Sequence, residues 1–262
     1  MIKIKKGLDL PMTGAPEPTI DKGRPVRHVA LTGFDYVGMK PTLKVREGDQ
    51  VKRGQPVFTD KKNEGIVYTA PAGGTVREIN RGERRVFQSL VIEVDENEEA
   101  ETFSRYSATE IDGLARQDVV DHLVNTGMWP VLRTRPYSKV PAIDAPEPHS
   151  IFVSVMDTHP LAPDPQTIIN EDPEAFENGL RVLARLTSGA VNLCGGPDTR
   201  VPMPSGEQFQ RHTFDGPHPA GNVGTHIHFI DPVGGDKVVW TVGYQNGMDL
   251  GRLFTTGMLS SE

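Results

Sequence analysis

The residues of this 262-residue chain best suited to chemistry are a group of histidines, one cysteine and a run of cations, aromatics and prolines. His212, His218, His226 and His228 fall within one short segment. Zinc favours imidazole, and a catalytic zinc usually takes three protein ligands. Thr225-His226-Ile227-His228-Phe229 reads as a strand, which would place both of its histidines on one face. No His-Glu-x-x-His pair occurs, and no acidic residue stands at a familiar ligand spacing. The spacing therefore favours a polar loop and two histidines hydrogen-bonded at a strand entrance, and no metal is assigned. Cys194 has no activating partner nearby in sequence and there is no Gly-x-Ser-x-Gly elbow, so nucleophilic catalysis is not expected. A single cysteine can form neither an internal disulfide nor, alone, an iron–sulfur cluster.

The most suggestive segment runs Trp129-Pro130-Val131-Leu132-Arg133-Thr134-Arg135-Pro136-Tyr137-Ser138-Lys139-Val140-Pro141-Ala142-Ile143. Its prolines stiffen what reads as an exposed connection, and aromatics beside arginines can stack on a planar ring while the cations attract oxygen. The same composition suits a protein interface equally well. Trp129, Arg133, Arg135, Tyr137 and Lys139, with His218, His226 and His228, are thus candidate ligand or partner contacts, and no catalytic residue is assigned. Gly195-Gly196-Pro197 could approach a phosphate, but a plain turn accounts for it, and no Gly-x-Gly-x-x-Gly follows any expected strand.

Two kinds of element must position these residues. From His28 to Val94, short apolar runs alternate with Gly/Asp/Asn turns, the mark of a small all-β barrel or sandwich. Val45-Arg46-Glu47-Gly48-Asp49-Gln50-Val51-Lys52-Arg53-Gly54-Gln55 and Ala70-Pro71-Ala72-Gly73-Gly74-Thr75-Val76 resemble the paired motifs of biotinyl/lipoyl-type barrel-sandwich hybrids. A carrier of that type would modify Lys61 or Lys62, but two exposed lysines on a polar turn explain them more simply. The acidic run from Asp95 to Glu101 is expected to stay solvated and to mark a domain boundary.

Beyond it the pattern becomes α/β. A helix over 118–126 ends at Gly127, with His122 on its polar face, and Ile151 to Met156 is a buried strand. Asp172 and Pro173 cap a helix carrying Phe176, Leu180, Leu183 and Leu186, and Ala190 to Cys194 forms the next strand. Such a strand–helix–strand unit is expected to be parallel. Val238 to Val242 and a helix from about Gln245 to Thr256 follow. The expected domains are an N-terminal extension over 1–27, a barrel-sandwich domain over 28–100 and an α/β domain over 101–262. Net charge is −7, from 35 acidic and 28 basic residues, so nucleic acid is not an expected partner. No run reaches the ~20 apolar residues of a membrane span, and no signal peptide follows the basic start.

In order along the chain, these segments are similar to the A subunit family of sodium-translocating NADH:quinone oxidoreductases. The matching runs include Ile4-Lys5-Lys6-Gly7-Leu8-Asp9-Leu10-Pro11, Tyr36-Val37-Gly38-Met39-Lys40-Pro41-Thr42, Asp60-Lys61-Lys62-Asn63 and Glu78-Ile79-Asn80-Arg81-Gly82. Leu132-Arg133-Thr134-Arg135-Pro136 and Phe214-Asp215-Gly216-Pro217-His218-Pro219-Ala220-Gly221 continue the match. The resemblance implies a mixed α/β protein whose second domain is Rossmann-like and akin to the flavin-binding domain of complex I. It also implies a peripheral component on the cytoplasmic face of the bacterial inner membrane, docked on the membrane-embedded components, especially the B subunit. In those kin a glycine-rich loop embraces flavin near the place of Arg133 to Lys139, where this chain has bulky side chains that deny close backbone approach. The resemblance thus implies a chain that binds no cofactor, with ubiquinone as candidate ligand and with flavins and an iron–sulfur centre on partner subunits. Family members extend beyond these residues with a further small α/β domain and a C-terminal region. The alternative reading is an independent flavin- or NAD-dependent oxidoreductase.

Overall fold

Alternating apolar residues and turn glycines build the first half of the computed structural model, which describes residues 1–260. The chain begins with β1 (Ile2–Lys3) and then forms β2 (His28–Thr32), β3 (Pro41–Leu43), β4 (Gln50–Val51) and β5 (Pro56–Asp60). β6 (Val67–Thr69), β7 (Gly74–Arg81) and β8 (Phe87–Val94) complete this half. They make a four-stranded sheet ordered β2-β8-β7-β4 and a three-stranded sheet ordered β3-β5-β6, every pair antiparallel. Val57, Phe58, Ile66, Tyr68, Leu90 and Ile92 fill the space between them. The motif turns need glycine, since Gly48 and Gly54 hold φ of 91° and 86°.

No residue of the acidic run is buried, as its charge implies, but the run is tied to the barrel. Glu98 accepts the Gly73 amide at 2.8 Å and pairs with Arg53 at 3.1 Å, and Glu99 pairs with Lys52 at 3.0 Å. Cations of the barrel's own turn hold the like charges against it. Lys61 and Lys62 are exposed, but Asn63 beside them donates toward the Val140 and Pro141 carbonyls, so the hairpin rests on the second half of the chain.

That second half contains α1 (Ala108–Gly113), α2 (Arg116–Asn125), β9 (Arg133–Arg135) and β10 (Ser150–Val155). It continues with α3 (Pro165–Ile169), α4 (Pro173–Ala184), β11 (Ala190–Gly195) and β12 (Phe209–Asp215). α5 (Val223–Ile230), β13 (Val239–Gly243) and α6 (Tyr244–Thr256) close it. The six strands order as β1-β12-β11-β10-β13-β9, parallel throughout except for β9 at the edge. Residues expected as an N-terminal extension begin with an edge strand of the large sheet, through Ile2 and Lys3 beside Phe214 and Asp215.

The expected β10–α4–β11 unit is parallel, and Asp172 caps α4 by accepting the Ala175 amide at 3.0 Å. The helix ends at Ala184, before Leu186. Gly257 stops α6 in the left-handed region at φ 72°. Three expectations are corrected. Residues 225–229 are helical, because Val223, Ile227 and Ile230 recur at i, i+4 and i+7 against the sheet. His122 is buried and not on a polar face, with its ring 4.6 Å from Phe254 and 5.6 Å from Tyr106. The 129–143 segment is not exposed along its length, since Trp129 and Pro130 are buried and Arg133–Arg135 pairs with β13.

α4 and α6 lie on one face of the sheet and meet at glycines. A Cβ at Gly179 would fall 1.8 Å from the Gly247 carbonyl oxygen, and one at Gly251 1.8 Å from that of Ala175. Backbone cannot yield to such contacts as a side-chain tip could. Gly251→Ala is therefore expected to destabilise the chain by roughly 1–3 kcal/mol or more. Chemical denaturation followed by circular dichroism checks this, and an unchanged midpoint would contradict the crossing.

Candidate functional site

In an open parallel sheet, ligands gather at the carboxyl ends of strands where the connections reverse direction. From β10 the chain moves outward to β11 and β12, then returns across the opposite face through α5 to β13, on β10's other side. Phe152, Cys194, Phe214 and Val239 face α5, while Ile151, Val153, Val191 and Leu193 belong to the core beneath α4 and α6. Between the ends of β10 and β13 lies a crevice of about 630 Å³. Ser154, Met156 and Asp157 line it from one strand, Thr241 to Tyr244 from the other, and Asn222 to Thr225 from the start of α5.

Arg135 enters this crevice from β9. Its guanidinium lies so near Gly224 that a Cβ there would sit 3.3 Å from Nη2. The first-turn amides of α5 carry the positive end of the helix dipole, so Arg135 adds positive potential to a site already positive. An electron-rich group such as a carbonyl or carboxylate oxygen would be stabilised between them. Tyr244 supplies a phenol whose pKa is raised by burial and by nearby Asp157 and Asp164, which keeps it a hydrogen-bond donor at neutral pH.

On the opposite rim Asp157 accepts from the His159 ring at 2.6 Å and from its amide at 2.8 Å. Burial raises the Asp157 pKa, but those hydrogen bonds and the His159 and His218 charges hold it below the usual carboxylate range. The His159 and His218 rings lie 4.8 Å apart, and His218 Nδ1 shares a hydrogen bond with the Thr158 hydroxyl at 3.0 Å. His159, Asp157 and Tyr244 are missed by sequence reasoning, because they meet only where the two strand ends converge.

The other sequence candidates disperse. Trp129 is a core anchor, donating from Nε1 to the Pro141 carbonyl at 2.8 Å and meeting Trp240 edge-on at 5.6 Å. Arg133 turns to the barrel: its guanidinium stands 5.2 Å from the Tyr36 ring centroid and donates to the Asp35 carbonyl at 3.3 Å. The turn beyond β9 closes through the Ser138 amide to the Thr134 carbonyl and the Thr134 amide to that of Lys139, both at 2.8 Å. Tyr137 projects from it, 74% exposed, with Lys139 exposed beside it.

The histidine pair does not share a face, since residues two apart on a helix point to nearly opposite sides. His226 is buried and its Nε2 donates to the Ala220 carbonyl at 2.8 Å, whereas His228 is exposed. His212 bonds Asn192 at 2.8 Å on a neighbouring strand. Among the described residues no three His, Cys, Asp or Glu side chains converge to hold a metal ion. Burial pushes the Cys194 thiol up, out of the reactive range. Gly195-Gly196-Pro197 forms a turn in which the Gly196 amide donates to Thr199 at 2.9 Å, beside a second cavity of about 370 Å³. No helix among the described residues is long and apolar enough to cross a membrane.

Family models match both halves of the chain: an NqrA N-terminal barrel-sandwich hybrid domain over residues 2–95 and an NqrA second alpha/beta domain over 114–259. Over all 262 residues the chain is 58% identical to the A subunit of the Na(+)-translocating NADH-quinone reductase of Hahella chejuensis. It is 56% identical over 261 residues to that of Alcanivorax borkumensis, and 53% identical over 262 to that of Yersinia pseudotuberculosis. In each case the match covers all of this chain and 58% of the relative, so the chain spans just over half the length of these curated proteins.

The buried imidazole behind the crevice makes stability depend on pH. Burial, with the His212 charge adding to it and the Ala220 hydrogen bond opposing, lowers the His226 pKa from 6.5 to about 4. The unfolded chain therefore takes up a proton first as pH falls, and stability is lost between about pH 6.5 and 4, by roughly 3 kcal/mol across the window. His226→Gln keeps an N–H for Ala220 but cannot ionise, and is expected to flatten that part of the profile. Melting temperatures across the window check this; parallel profiles for the two proteins would refute it.

Proposed function

The chain belongs to the A subunit family of Na(+)-translocating NADH-quinone reductases, and on that premise we propose that it is a peripheral component of such a complex, shaping quinone access while partners carry the redox centres. The whole complex is a sodium-pumping NADH:quinone reductase. Within it this chain binds no cofactor of its own, sits on the cytoplasmic face of the inner membrane and docks on the membrane-embedded components, the B subunit foremost. Its domains are placed at 28–100 and 101–262, with β1 of the 1–27 extension joining the sheet of the latter, which is Rossmann-like and related to the flavin-binding domain of complex I.

The observation carrying this reading is Arg135 lying against Gly224 at the mouth of the strand-end crevice. There a guanidinium stands beside the α5 backbone and makes the cleft rich in donors. A quinone ring needs donors for two carbonyl oxygens and flat or soft surfaces for its faces. Arg135, the α5 amides and Tyr244 offer the donors, and Met156 and the His159 ring offer the surfaces. Tyr137 and Lys139, outside the crevice on the adjoining turn, suit contact with a protein partner.

Titration of the chain with a soluble short-tailed quinone, followed by protein NMR, tests the reading. Saturable shifts at Tyr244 and Thr225 are expected, and Arg135→Ala should weaken binding by about 10-fold or more, as for a lost hydrogen bond from a charged donor. The purified chain should show no flavin bands in its visible spectrum. Flavin bands would favour an independent flavin- or NAD-dependent oxidoreductase. No quinone binding, either alone or with the membrane partner present, would leave this chain only a docking role.

A further inference from the structure

The edge of the large sheet formed by β1 carries an unusual surface for so acidic a protein. Ile2 and Ile4 turn inward to the core under α5, and Lys3, Lys5 and Lys6 stand exposed around them. None of these three lysines has an acidic partner among the described residues, whereas Lys52 and Lys237 are paired. They rim a groove of about 590 Å³ whose floor includes Pro219, Gly224 and Phe229. Phe229 closes it from the last turn of α5 and is 52% exposed, a large apolar side chain at the surface. Leu8, just past the lysines, is 70% exposed. The groove shares Gly224 and Thr225 with the strand-end crevice, so the two openings adjoin at the start of α5.

Unpaired ammonium groups around an exposed aromatic ring match one chemistry well. Lysines are drawn to a sheet of phosphates, and the ring then settles at the boundary between headgroups and acyl chains. An acidic protein surface would meet the lysines but would leave Phe229 and Leu8 without an apolar counterpart. We propose that the edge bearing Lys3, Lys5, Lys6 and Phe229 is a docking surface for an anionic phospholipid bilayer, which would set the crevice mouth at the membrane surface. This rests on the reading of the chain as a peripheral component of a membrane complex. The lipid contact does not depend on whether the crevice accepts a quinone.

Sedimentation of the chain with quinone-free vesicles tests it. Vesicles of phosphatidylcholine with roughly one phosphatidylglycerol in three should carry the protein down at low salt, and pure phosphatidylcholine should not. High salt should release it, because the screening length falls to about 3 Å at 1 M. Each lysine near such a surface contributes about 5-fold, so the triple variant Lys3→Gln, Lys5→Gln, Lys6→Gln should partition roughly 100-fold less. Phe229→Ser should also weaken partitioning, while Lys61→Gln with Lys62→Gln, the same kind of charge change on the barrel hairpin, should not. A melting curve for each variant confirms that these exposed changes leave the fold intact. Absence of binding to anionic vesicles, equal binding to neutral ones, or equal loss in the barrel variant overturns the proposal. Quinone binding is read separately on the same protein. Vesicle binding without quinone binding would therefore reject the crevice reading alone, and the reverse would reject the lipid surface alone.

Discussion

One buried hydrogen bond governs how the halves of this protein meet. Trp129 is fully enclosed, and its indole N–H would be left unsatisfied without the Pro141 carbonyl, 2.8 Å away. That contact closes the 129–143 segment on itself, so the strand and turn between its ends have fixed starting points. Asn63 of the barrel hairpin donates to the same carbonyl, at 3.3 Å, and to that of Val140, at 3.4 Å. Gly127 lies so close to Thr69 that a Cβ would fall 2.5 Å from its side chain. The barrel is thereby registered against the α/β layer, and the apolar core runs continuously through both.

With its ends held, the segment divides the labour of its two arginines. Arg133 is drawn toward the barrel by the Tyr36 ring and the Asp35 carbonyl, and Arg135 is left at the strand-end crevice. Burial raises the Tyr36 pKa while the Arg133 charge opposes it, and the neutral phenol leaves the ring face electron-rich under the cation. The composition that reads in sequence as one exposed loop is thus a buried anchor, an inter-domain clamp and a site cation in succession.

Much of the fold is legible in the sequence where local physics decides it. Asp172 and Pro173 announce a helix start, Gly127 a helix end, and the paired glycine turns of 45–55 a barrel-sandwich half. What is illegible depends on partners far along the chain. Residues 225–229 alternate like a strand, and only the sheet beneath Val223, Ile227 and Ile230 selects the helix. His122 carries a polar label but is enclosed by Tyr106 and Phe254, from opposite ends of the α/β half. β1 is two residues long, too short for any periodicity, and exists because β12 offers it an edge. The site suffers most from this: Arg135 and His218 are visible in sequence as candidates, but their crevice partners Asp157, His159 and Tyr244 are joined only by the sheet's topology.

The position of Gly224 shows what kind of ligand such a crevice rewards. A glycine at a helix start commonly lets a phosphate come close to backbone amides. Here the approach is taken by the protein's own guanidinium, so the helix's positive end and a cation lie close together at the crevice. Asp157, the carboxylate that lines the crevice, is held by His159. A cation beside a helix start would stabilise a compact, electron-rich group placed between Arg135 and the α5 amides.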